Sequence, residues 1–350
     1  MRALTVEPPK RGSLAVVDVP DPEPGPDDLL VAGVAVGVCG TDREIAGGDY
    51  GSPPPGRDRL VLGHESLGRV LEAPSGSGFS PGDLVVGVVR RPDPEPCGAC
   101  AHGEFDMCRN GRYTERGIKE LDGFASTTWA VESGYAVALD PRLAEVGVLM
   151  EPTSVVAKAW DQIEKVGARA WFEPRVALVT GAGPIGLLAA LLGVQRGLEV
   201  HVLDQVTEGP KPGLVADLGA TYHHGTLDDA VAVATPDIVI EATGASQLVL
   251  GAMANNAPYG VVCLTGVSPT GRMLHVDMGG LNRDIVLEND AIIGSVNANL
   301  GHYAAAARAL AKADLGWLGG LISRRVPLER FADAFTRHRD DVKVVIALAD

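Results

Sequence analysis

A glycine-rich turn constrains the fold of this chain more than any other feature of its sequence. The turn spans residues 181–186 and reads Gly-Ala-Gly-Pro-Ile-Gly; it follows the apolar run Arg175–Thr180 and opens an apolar helix. Gly181 permits a tight turn, Gly183 lets backbone amides approach a pyrophosphate, and Gly186 lets the helix pack on the strand. Strand, turn and helix together predict a dinucleotide site. Its predicted contacts from the turn are Gly181, Gly183, Pro184, Ile185 and Gly186.

An acidic residue follows at the distance expected for the ribose of an adenosine. Asp204 ends the next predicted strand, eighteen residues after Gly186. A carboxylate at this position can accept hydrogen bonds from both ribose hydroxyls. A 2′-phosphate would meet that negative charge, and the next residue is Gln205 rather than an arginine that could pair with it. The sequence therefore predicts NAD in preference to NADP, with dual use left open and Lys211 interpreted as a solvated surface lysine.

The pattern of apolar residues divides the chain into two domains. Residues 1–155 carry short β-branched runs separated by turns, which indicates a β-rich, closed domain. Residues 156–298 alternate buried strands with helices, which indicates a doubly wound parallel sheet. The tail, residues 299–350, contains a helix near Leu328–His338 and a strand at Val342–Leu348, and we expect it to return to the first domain. The predicted fold class is a two-domain α/β protein.

Charge and hydropathy exclude several kinds of partner. The net charge of −15 leaves no positive surface for nucleic acid or anionic lipid. The longest apolar stretch, residues 185–194, is shorter than the roughly 20 residues that span a bilayer. The sequence that follows Met1 has no export signal. We therefore expect a cytoplasmic protein that acts on a small molecule, with no nucleic-acid or membrane partner.

Five cysteines raise the question of metal binding. They are Cys39, Cys97, Cys100, Cys108 and Cys263. Because a cytosolic chain keeps its thiols reduced, disulfides are not expected. Cys263 lies in an apolar run and is most simply a buried core residue. Metal ligation is the role to consider for the other four.

Two short motifs in the first domain carry residue types that bind zinc. Cys39-Gly-Thr-Asp ends a predicted strand, and Gly-His64-Glu65 opens another segment. Zn²⁺ accepts thiolate, imidazole and carboxylate ligands and can keep one position open for chemistry. Taken separately, Cys39 and His64 could instead be buried core residues. Their occurrence in one chain with a dinucleotide turn is what favours the metal.

These motifs together resemble the zinc-dependent medium-chain alcohol dehydrogenases over essentially the whole chain. Three further stretches, Tyr113–Ile118, Glu151–Lys158 and Gly294–Asn299, are similar to the glucose 1-dehydrogenase branch and are more specific than the glycine turn. The resemblance implies that residues 1–155 and 299–350 form a GroES-like catalytic domain. It implies a Rossmann cofactor domain over residues 156–298.

The resemblance also implies a catalytic zinc. Its ligands would be Cys39, His64 and Glu151. Glu65 would either lie just outside these direct ligands or exchange with water as the metal shifts. Thr41 would be the hydroxyl relay beside the substrate. The Glu151-Pro pair could alternatively mark only the start of a helix, where a carboxylate is favourable.

A polar sugar site is implied as well. Glu65 and Glu115 would accept hydrogen bonds from sugar hydroxyls, Asn297 and Asn299 would line the nicotinamide and sugar end, and Thr243 would contact the cofactor. A polyhydroxylated ligand needs such partners, because each unpaired buried hydroxyl costs about 1–3 kcal/mol. The two asparagines could alternatively be turn residues.

One stretch departs from the family. Many members hold a structural zinc with four cysteines, but here only Cys97, Cys100 and Cys108 are present. Either His102 or Asp106 completes a tetrahedral site, or the lobe is metal-free. Because a closed structural site normally has four protein ligands, we favour the metal-free interpretation.

The resemblance implies a zinc-dependent oxidoreductase that moves hydride from the anomeric carbon of an aldose to NAD(P), giving an aldonolactone. The nearest alternative is a zinc-dependent dehydrogenase of a polyol, a cyclitol or a sugar-derived intermediate of secondary metabolism. A zinc-free enone or quinone reductase would not need the Cys39, His64 and Glu151 set, and a nucleotide-sensing scaffold would not need it either.

The sequence gives less evidence about the oligomeric state than about the fold. The apolar stretches 257–267 and 292–296 could pair edge to edge across a two-fold axis. We expect a homo-oligomer, either a dimer or a tetramer.

Overall fold

The computed structural model describes residues 1–348 of the chain. The first compact unit comprises Met1–Ser154 and the segment from Ala298 onward, and the second comprises Val155–Asn297. Both boundaries lie one residue from those expected from sequence. Residues 349 and 350 of the expected catalytic domain lie outside the described residues.

Strands outnumber helices in the first unit and alternate with helices in the second. In chain order they are β1 (Arg2–Val6), β2 (Ala15–Asp18), β3 (Asp28–Val38), β4 (Leu60–Val61), β5 (Glu65–Glu72), β6 (Leu84–Gly87), β7 (Arg90–Arg91), β8 (Thr114–Arg116), β9 (Glu120–Leu121), β10 (Thr128–Glu132), β11 (Ala136–Ala138), β12 (Val176–Thr180), β13 (Glu199–Leu203), β14 (Thr221–His223), β15 (Ile238–Glu241), β16 (Val261–Leu264), β17 (Ala291–Gly294), β18 (Ile322–Pro327) and β19 (Lys343–Ala347).

Eleven α-helices are described between residues 1 and 348. They are α1 (Gly40–Ala46), α2 (Gly98–Ala101), α3 (Met150–Gly167), α4 (Pro184–Gln195), α5 (Pro210–Asp217), α6 (Leu227–Ala234), α7 (Ser246–Ala254), α8 (Met278–Glu288), α9 (Leu300–Lys312), α10 (Leu315–Leu321) and α11 (Phe331–Phe335). Among the described residues, none of these helices has both the length and the apolar character of a membrane span.

The second unit contains one six-stranded sheet in the order β14-β13-β12-β15-β16-β17. Every neighbouring pair in it is parallel. Its central strands are apolar and buried, as expected for a sheet covered on both faces, and α4 is buried from Gly186 to Gly193. The order reverses direction between β12 and β15, the arrangement of a doubly wound dinucleotide fold. The predicted fold class is confirmed.

The largest sheet of the first unit runs β11-β6-β5-β3-β19-β18, with β10 also pairing with β3. The tail strand β19 pairs antiparallel with β3 and parallel with β18. The expected return of the tail to the first domain is therefore what the structure shows. A core of buried aliphatic side chains, including Val36, Leu62 and Ile346, lies against these central strands.

Two expectations about the local structure are only partly met. The helix expected near Leu328–His338 is only a 3₁₀ turn at Leu328–Arg330 followed by the short α11. The guanidinium of Arg324 explains the early end, because it takes the carbonyls of Asp333 and Thr336 that a longer helix would use. Of the two apolar stretches expected to form an edge, β16 lies inside its sheet and only β17 lies at the end.

Candidate active site

The glycine turn at the carboxyl end of β12 has the geometry of an anion site. Gly181 adopts a left-handed φ of +96°, and Gly183 caps α4, whose first turn begins with Pro184. A Cβ added at Gly186 would overlap the carbonyl oxygen of Gly181, whereas one added at Gly183 would meet no atom within 4 Å. Gly186 is thus required by packing. Gly183 leaves open space at a helix N-terminus, where backbone amides and the helix dipole favour a phosphate.

Asp204 follows β13 directly and is tied to this turn. Its Oδ2 accepts hydrogen bonds from the amide of Ala182 at 2.7 Å and from Nζ of Lys211 at 3.0 Å, and its Oδ1 accepts from the amide of Gln205 at 2.7 Å. Burial opposes ionisation, but the Ala182 amide and Lys211 hold the pKa of Asp204 below its usual range. The interpretation of Lys211 as a solvated lysine is wrong, because its side chain is only 16% exposed and forms this ion pair.

Glu241, which the sequence analysis did not identify, organises the carboxyl end of β15. Its carboxylate is fully buried and accepts hydrogen bonds from the amide and hydroxyl of Thr243 and from the amide of Gly244. Thr180 of β12 donates to the same oxygen at 3.3 Å. Glu241 therefore fixes Thr243, which the sequence analysis predicted to contact the cofactor. The available signal was an acidic residue that ends a buried strand immediately before Ala-Thr-Gly.

Cys39 directly follows β3 and caps α1. Its Sγ accepts a hydrogen bond from the amide of Thr41 at 3.2 Å, and its own amide donates to the carboxylate of Asp42 at 2.9 Å. These reciprocal contacts form a capping box, which explains why Cys-Gly-Thr-Asp turns sharply from strand into helix. The motif thus fixes the thiol and places Thr41 two residues away from it.

His64 lies immediately before β5 and faces Cys39. Its Nε2 is 3.1 Å from Sγ of Cys39, and its Nδ1 is 3.5 Å from Oδ1 of Asp42. Among the described residues, this Nδ1 and this Oδ1 have no hydrogen-bond partner within normal limits. Burial opposes the charged ring, but Cys39 and Asp42 hold the pKa of His64 well above its usual range. The imidazole and the thiol thus point at one another inside a desolvated pocket.

Glu65 completes a group with these two residues. The ligand atoms of Cys39, His64 and Glu65 all lie within 4.8 Å of one another. The carboxylate of Glu65 also accepts from Nζ of Lys343 at 2.6 Å, and both side chains are buried. Glu65 on β5 and Lys343 on β19 lie on opposite sides of β3, and their side chains meet over this strand. Gly37 of β3 leaves the necessary space, because a Cβ there would overlap the Glu65 carboxylate. Lys343, on the tail strand β19, was not identified from sequence.

Glu151 occupies the first turn of α3 and lies outside that three-residue group, among the residues that the structure describes. Burial raises the pKa of Glu151 to about 7, with the charge of His64 acting in the opposite direction and that of Glu65 in the same one. Glu151 is therefore close enough to both residues to sense their charge. A desolvated carboxyl of this kind is suited to a nearby cation.

Glu115, the predicted sugar contact on β8, is buried and held by an arginine. Nε and Nη2 of Arg90 donate to its Oε1 at 3.1 and 2.9 Å. The guanidinium of Arg90 stacks on the ring of Tyr113 at 3.7 Å, and its Nη1 donates to the carbonyl of Asp106 at 3.0 Å. Arg90 is thus held by Tyr113 and Asp106 and orients Glu115 through its Oε1.

The two predicted asparagines have different surroundings. Asn299 caps α9, where its Oδ1 accepts from the amides of Gly301 and His302, and its Nδ2 donates to Asp106 at 2.9 Å. Those contacts correspond to the turn role that the sequence left open. Asn297 follows β17 and has a left-handed φ of +63°.

The cysteine lobe brings three thiols together. The Sγ atoms of Cys97, Cys100 and Cys108 lie within 4.8 Å of one another, and no fourth candidate ligand between residues 1 and 348 joins the group. His102 is exposed with its ring bonded to the carbonyl of Gly98, and Asp106 faces Asn299. Neither of the two residues considered as a fourth ligand is therefore turned toward the thiols.

Comparison with known proteins covers nearly the whole chain. Residues 25–141 match the alcohol dehydrogenase GroES-like domain, and residues 144–348 match the glucose dehydrogenase C-terminus. Glucose 1-dehydrogenases of Methanocella arvoryzae and Thermoproteus tenax are 38% and 40% identical, with 99% of both chains covered in each case. The structure of Haloferax mediterranei glucose dehydrogenase in complex with NADP, Zn and gluconolactone is 33% identical, with a TM-score of 0.91 and 100% of both chains covered.

Proposed function

Because this chain belongs to the glucose 1-dehydrogenase branch of the zinc-dependent medium-chain alcohol dehydrogenases, we propose that it oxidises the anomeric carbon of an aldose such as glucose. A nicotinamide cofactor accepts the hydride, and the product is an aldonolactone. The observation that carries the proposal is the meeting of Cys39, His64 and Glu65 in a chain that also folds a dinucleotide turn. The names of the relatives, and the gluconolactone bound to one of them, support the choice of substrate.

The residues around Cys39 fit a catalytic zinc. Thiolate, imidazole and carboxylate are the ligand types that Zn²⁺ prefers. At this site, the buried Nδ1 of His64 and the buried Oδ1 of Asp42 behind it have no hydrogen-bond partner among the described residues. A carboxylate behind a ligating histidine fixes the ring and raises its basicity. Cys39, His64 and Glu151 would hold the ion, with Glu65 a further candidate. When bound, Zn²⁺ supplies Lewis acidity to an alcohol oxygen.

The chain's own groups would handle the charge and the proton. The amide of Thr41 donates to Sγ of Cys39, so the backbone of the proposed relay residue is fixed relative to the thiolate. We assign to Oγ1 of Thr41 the acceptance of the sugar's hydroxyl proton and its transfer onward to the cofactor ribose. Lys343 neutralises Glu65, which reduces repulsion between the carboxylates of Glu65 and Glu151.

Glu115 would provide the sugar's main anchor. A buried, oriented carboxylate is a strong acceptor for hydroxyl groups, and a site built around it rejects ligands that lack the matching hydroxyl. Arg90 supplies that orientation through two hydrogen bonds to Oε1 of Glu115. The same arrangement suits a polyhydroxylated ligand better than a simple alcohol.

Reduced-nicotinamide absorbance with a panel of substrates tests the proposed function. We expect turnover of D-glucose, or of another aldose such as galactose or xylose, with appearance of the lactone and then the free acid. Cyclitols and simple secondary alcohols should be oxidised poorly. Turnover confined to a cyclitol or a secondary alcohol would contradict oxidation at the anomeric carbon.

NAD is the proposed preferred cofactor. Asp204 is ionised and held in the turn by Ala182, so that a 2′-phosphate would meet its charge. Because the Haloferax relative was solved with NADP, this preference is a proposal about Asp204 in this chain rather than a property of the family.

Replacing Asp204 by alanine is expected to lower kcat/KM for NAD by about tenfold or more, the effect of losing a charged hydrogen bond to ribose. It should raise kcat/KM for NADP, because Lys211 loses its partner and becomes available to the 2′-phosphate. Steady-state kinetics with both cofactors measure the change. The double variant Asp204→Ala/Lys211→Met should lose the gain with NADP, and Gln205→Ala is the neutral control. An unchanged cofactor ratio in Asp204→Ala would place the ribose contact elsewhere.

We also propose a homo-oligomer, a dimer or a tetramer, assembled through the free edge of β17. This strand ends its sheet, and the same unit exposes large apolar side chains. They include Val267, Met273, Met278, Val286 and Leu287. Sedimentation analysis should give a mass of at least twice 36.4 kDa; a monomer at micromolar concentration would contradict the proposal.

A further inference from the structure

Lys158 is a buried lysine that the proposed function has not used. It lies on α3 with 1% of its surface exposed. Its Nζ donates a hydrogen bond to the carbonyl oxygen of Val296 at 2.8 Å. Burying an ammonium group is costly unless hydrogen bonds compensate for the lost water. The hydrogen bond to Val296 therefore marks the segment whose conformation Lys158 stabilises.

The segment that Lys158 contacts directly follows β17. The amide of Ser295 continues the pairing with β16 by donating to the carbonyl of Leu264 at 2.9 Å. Asn297, two residues later, has a left-handed φ of +63°, a conformation that non-glycine residues adopt uncommonly and that neighbours must hold in place. The carbonyl that Lys158 binds belongs to the peptide between Val296 and Asn297. Lys158 therefore acts on the backbone bond that sets this conformation.

The position of this segment in the sheet identifies the part of the cofactor that it meets. Asp204 and the glycine turn follow β13 and β12, which belong to the adenosine half of the fold. β15, β16 and β17 form the other half, and their carboxyl ends lie on the same edge of the parallel sheet. In a doubly wound fold the second nucleotide binds along that half. The segment after β17 is thus on the nicotinamide side.

α3 gives Lys158 a rigid base. Nε1 of Trp160 donates to the carbonyl of Ala189 on α4 at 3.1 Å, which ties α3 to the helix that begins at the glycine turn.

Burial raises the pKa of the neighbouring Cys263 to about 12, against the effect of the charge on Lys158. Cys263 is therefore a neutral thiol and does not serve as a counter-ion.

We propose that Lys158 is a positioning residue that fixes the Val296–Asn297 peptide in the geometry that receives the nicotinamide ring. The inference rests on the proposed nicotinamide chemistry but is independent of which sugar is oxidised. It concerns one half of the cofactor, so its effect is separable from general damage to the domain.

Binding of two ligands to the variant Lys158→Met tests the inference. ADP-ribose carries the adenosine, the pyrophosphate and the second ribose but no nicotinamide, whereas NADH carries all of them. We expect the Kd of NADH to rise by about tenfold or more, as for a lost charged hydrogen bond, and that of ADP-ribose to stay within about twofold. Calorimetry or NADH fluorescence measures both without any substrate.

Two further variants sharpen the comparison. Lys165→Met removes an exposed lysine from the same helix and should leave both affinities unchanged. Asn297→Ala should show the same selective loss as Lys158→Met. Because both would act through one peptide, the double variant should bind NADH no more than about twofold weaker than either single variant.

An equal loss of both affinities, or no loss of either, would overturn the inference. If Lys158→Met does not fold, Lys158→Gln, which retains an N–H donor, takes its place: selective loss of NADH affinity supports the inference, and parallel loss overturns it. Failure of the wild-type chain to bind either ligand would instead contradict the proposed function.

Discussion

Replacing His64 by alanine is expected to reduce turnover by about a thousandfold or more, because catalysis at this site depends on a bound Lewis acid. Nε2 of the imidazole lies 3.1 Å from Sγ of Cys39. The ligand atoms of His64, Cys39 and Glu65 all lie within 4.8 Å of one another. Without the imidazole, only Cys39 and Glu151 of the proposed ligand set remain, and the carboxylate of Glu65 is engaged by Lys343. NAD affinity should be unchanged, since the glycine turn and Asp204 belong to the second compact unit and His64 to the first.

Zinc content measured on the same preparations checks the cause. The wild-type chain should contain one zinc atom, as expected for a catalytic site with a metal-free cysteine lobe, and His64→Ala should contain none. Asp42→Asn, which weakens the support of the ring, should lower zinc affinity by about tenfold to a hundredfold. His224→Ala, on an exposed histidine, is the matched control. Near wild-type activity in His64→Ala would refute the zinc mechanism, and two zinc atoms per wild-type chain would refute the metal-free lobe.

Local sequence patterns predicted the fold class, and the resemblance of several motifs to one family predicted the family and the activity. The strand, the glycine turn and the helix are contiguous, and the turn chemistry of Cys-Gly-Thr-Asp is completed within four residues. The approach of Cys39 to His64 was implied by the family resemblance. In the structure it arises because β3 and β5 are neighbouring strands whose register places Gly37 opposite Glu65. Contacts within one contiguous turn depend on few degrees of freedom, so pattern and spacing predict them.

Partners from distant parts of the chain could not be predicted in this way. Lys343 reaches Glu65 across 278 residues, because the tail adds β19 to the opposite side of β3. Nothing in the tail's own sequence distinguishes this lysine from a surface residue. The burial of Lys211 could not be predicted for a different reason: Asp204 lies only seven residues away, but their ion pair depends on how the chain folds between β13 and α5. Side-chain roles that depend on tertiary burial require the assembled structure.

Two glycines of the same turn should respond oppositely to the same substitution. Gly183→Ala is expected to keep the stability of the free protein, because the added Cβ meets no atom within 4 Å. It should lower NAD affinity by about a hundredfold, because the methyl group occupies the space where the pyrophosphate approaches the helix N-terminus. Thermal unfolding and calorimetric titration with NAD measure the two effects.

Gly186→Ala should instead destabilise the protein even without cofactor. Its Cβ would overlap the carbonyl oxygen of Gly181, a backbone atom that cannot rotate away, so α4 would have to move from β12. Overpacking of this kind costs about 3 kcal/mol of unfolding free energy, and the loss should appear as a lower Tm.

Gly213→Ala on α5 is the matched control, because its added Cβ lies in open space. Gly197→Ala is unsuitable as a control because Gly197 has a positive φ. If Gly183→Ala lowered Tm as much as Gly186→Ala, or left NAD affinity unchanged, the division between a packing glycine and a cofactor glycine would be wrong. The role of Gly183 would then be in the fold of the turn rather than in access to the pyrophosphate.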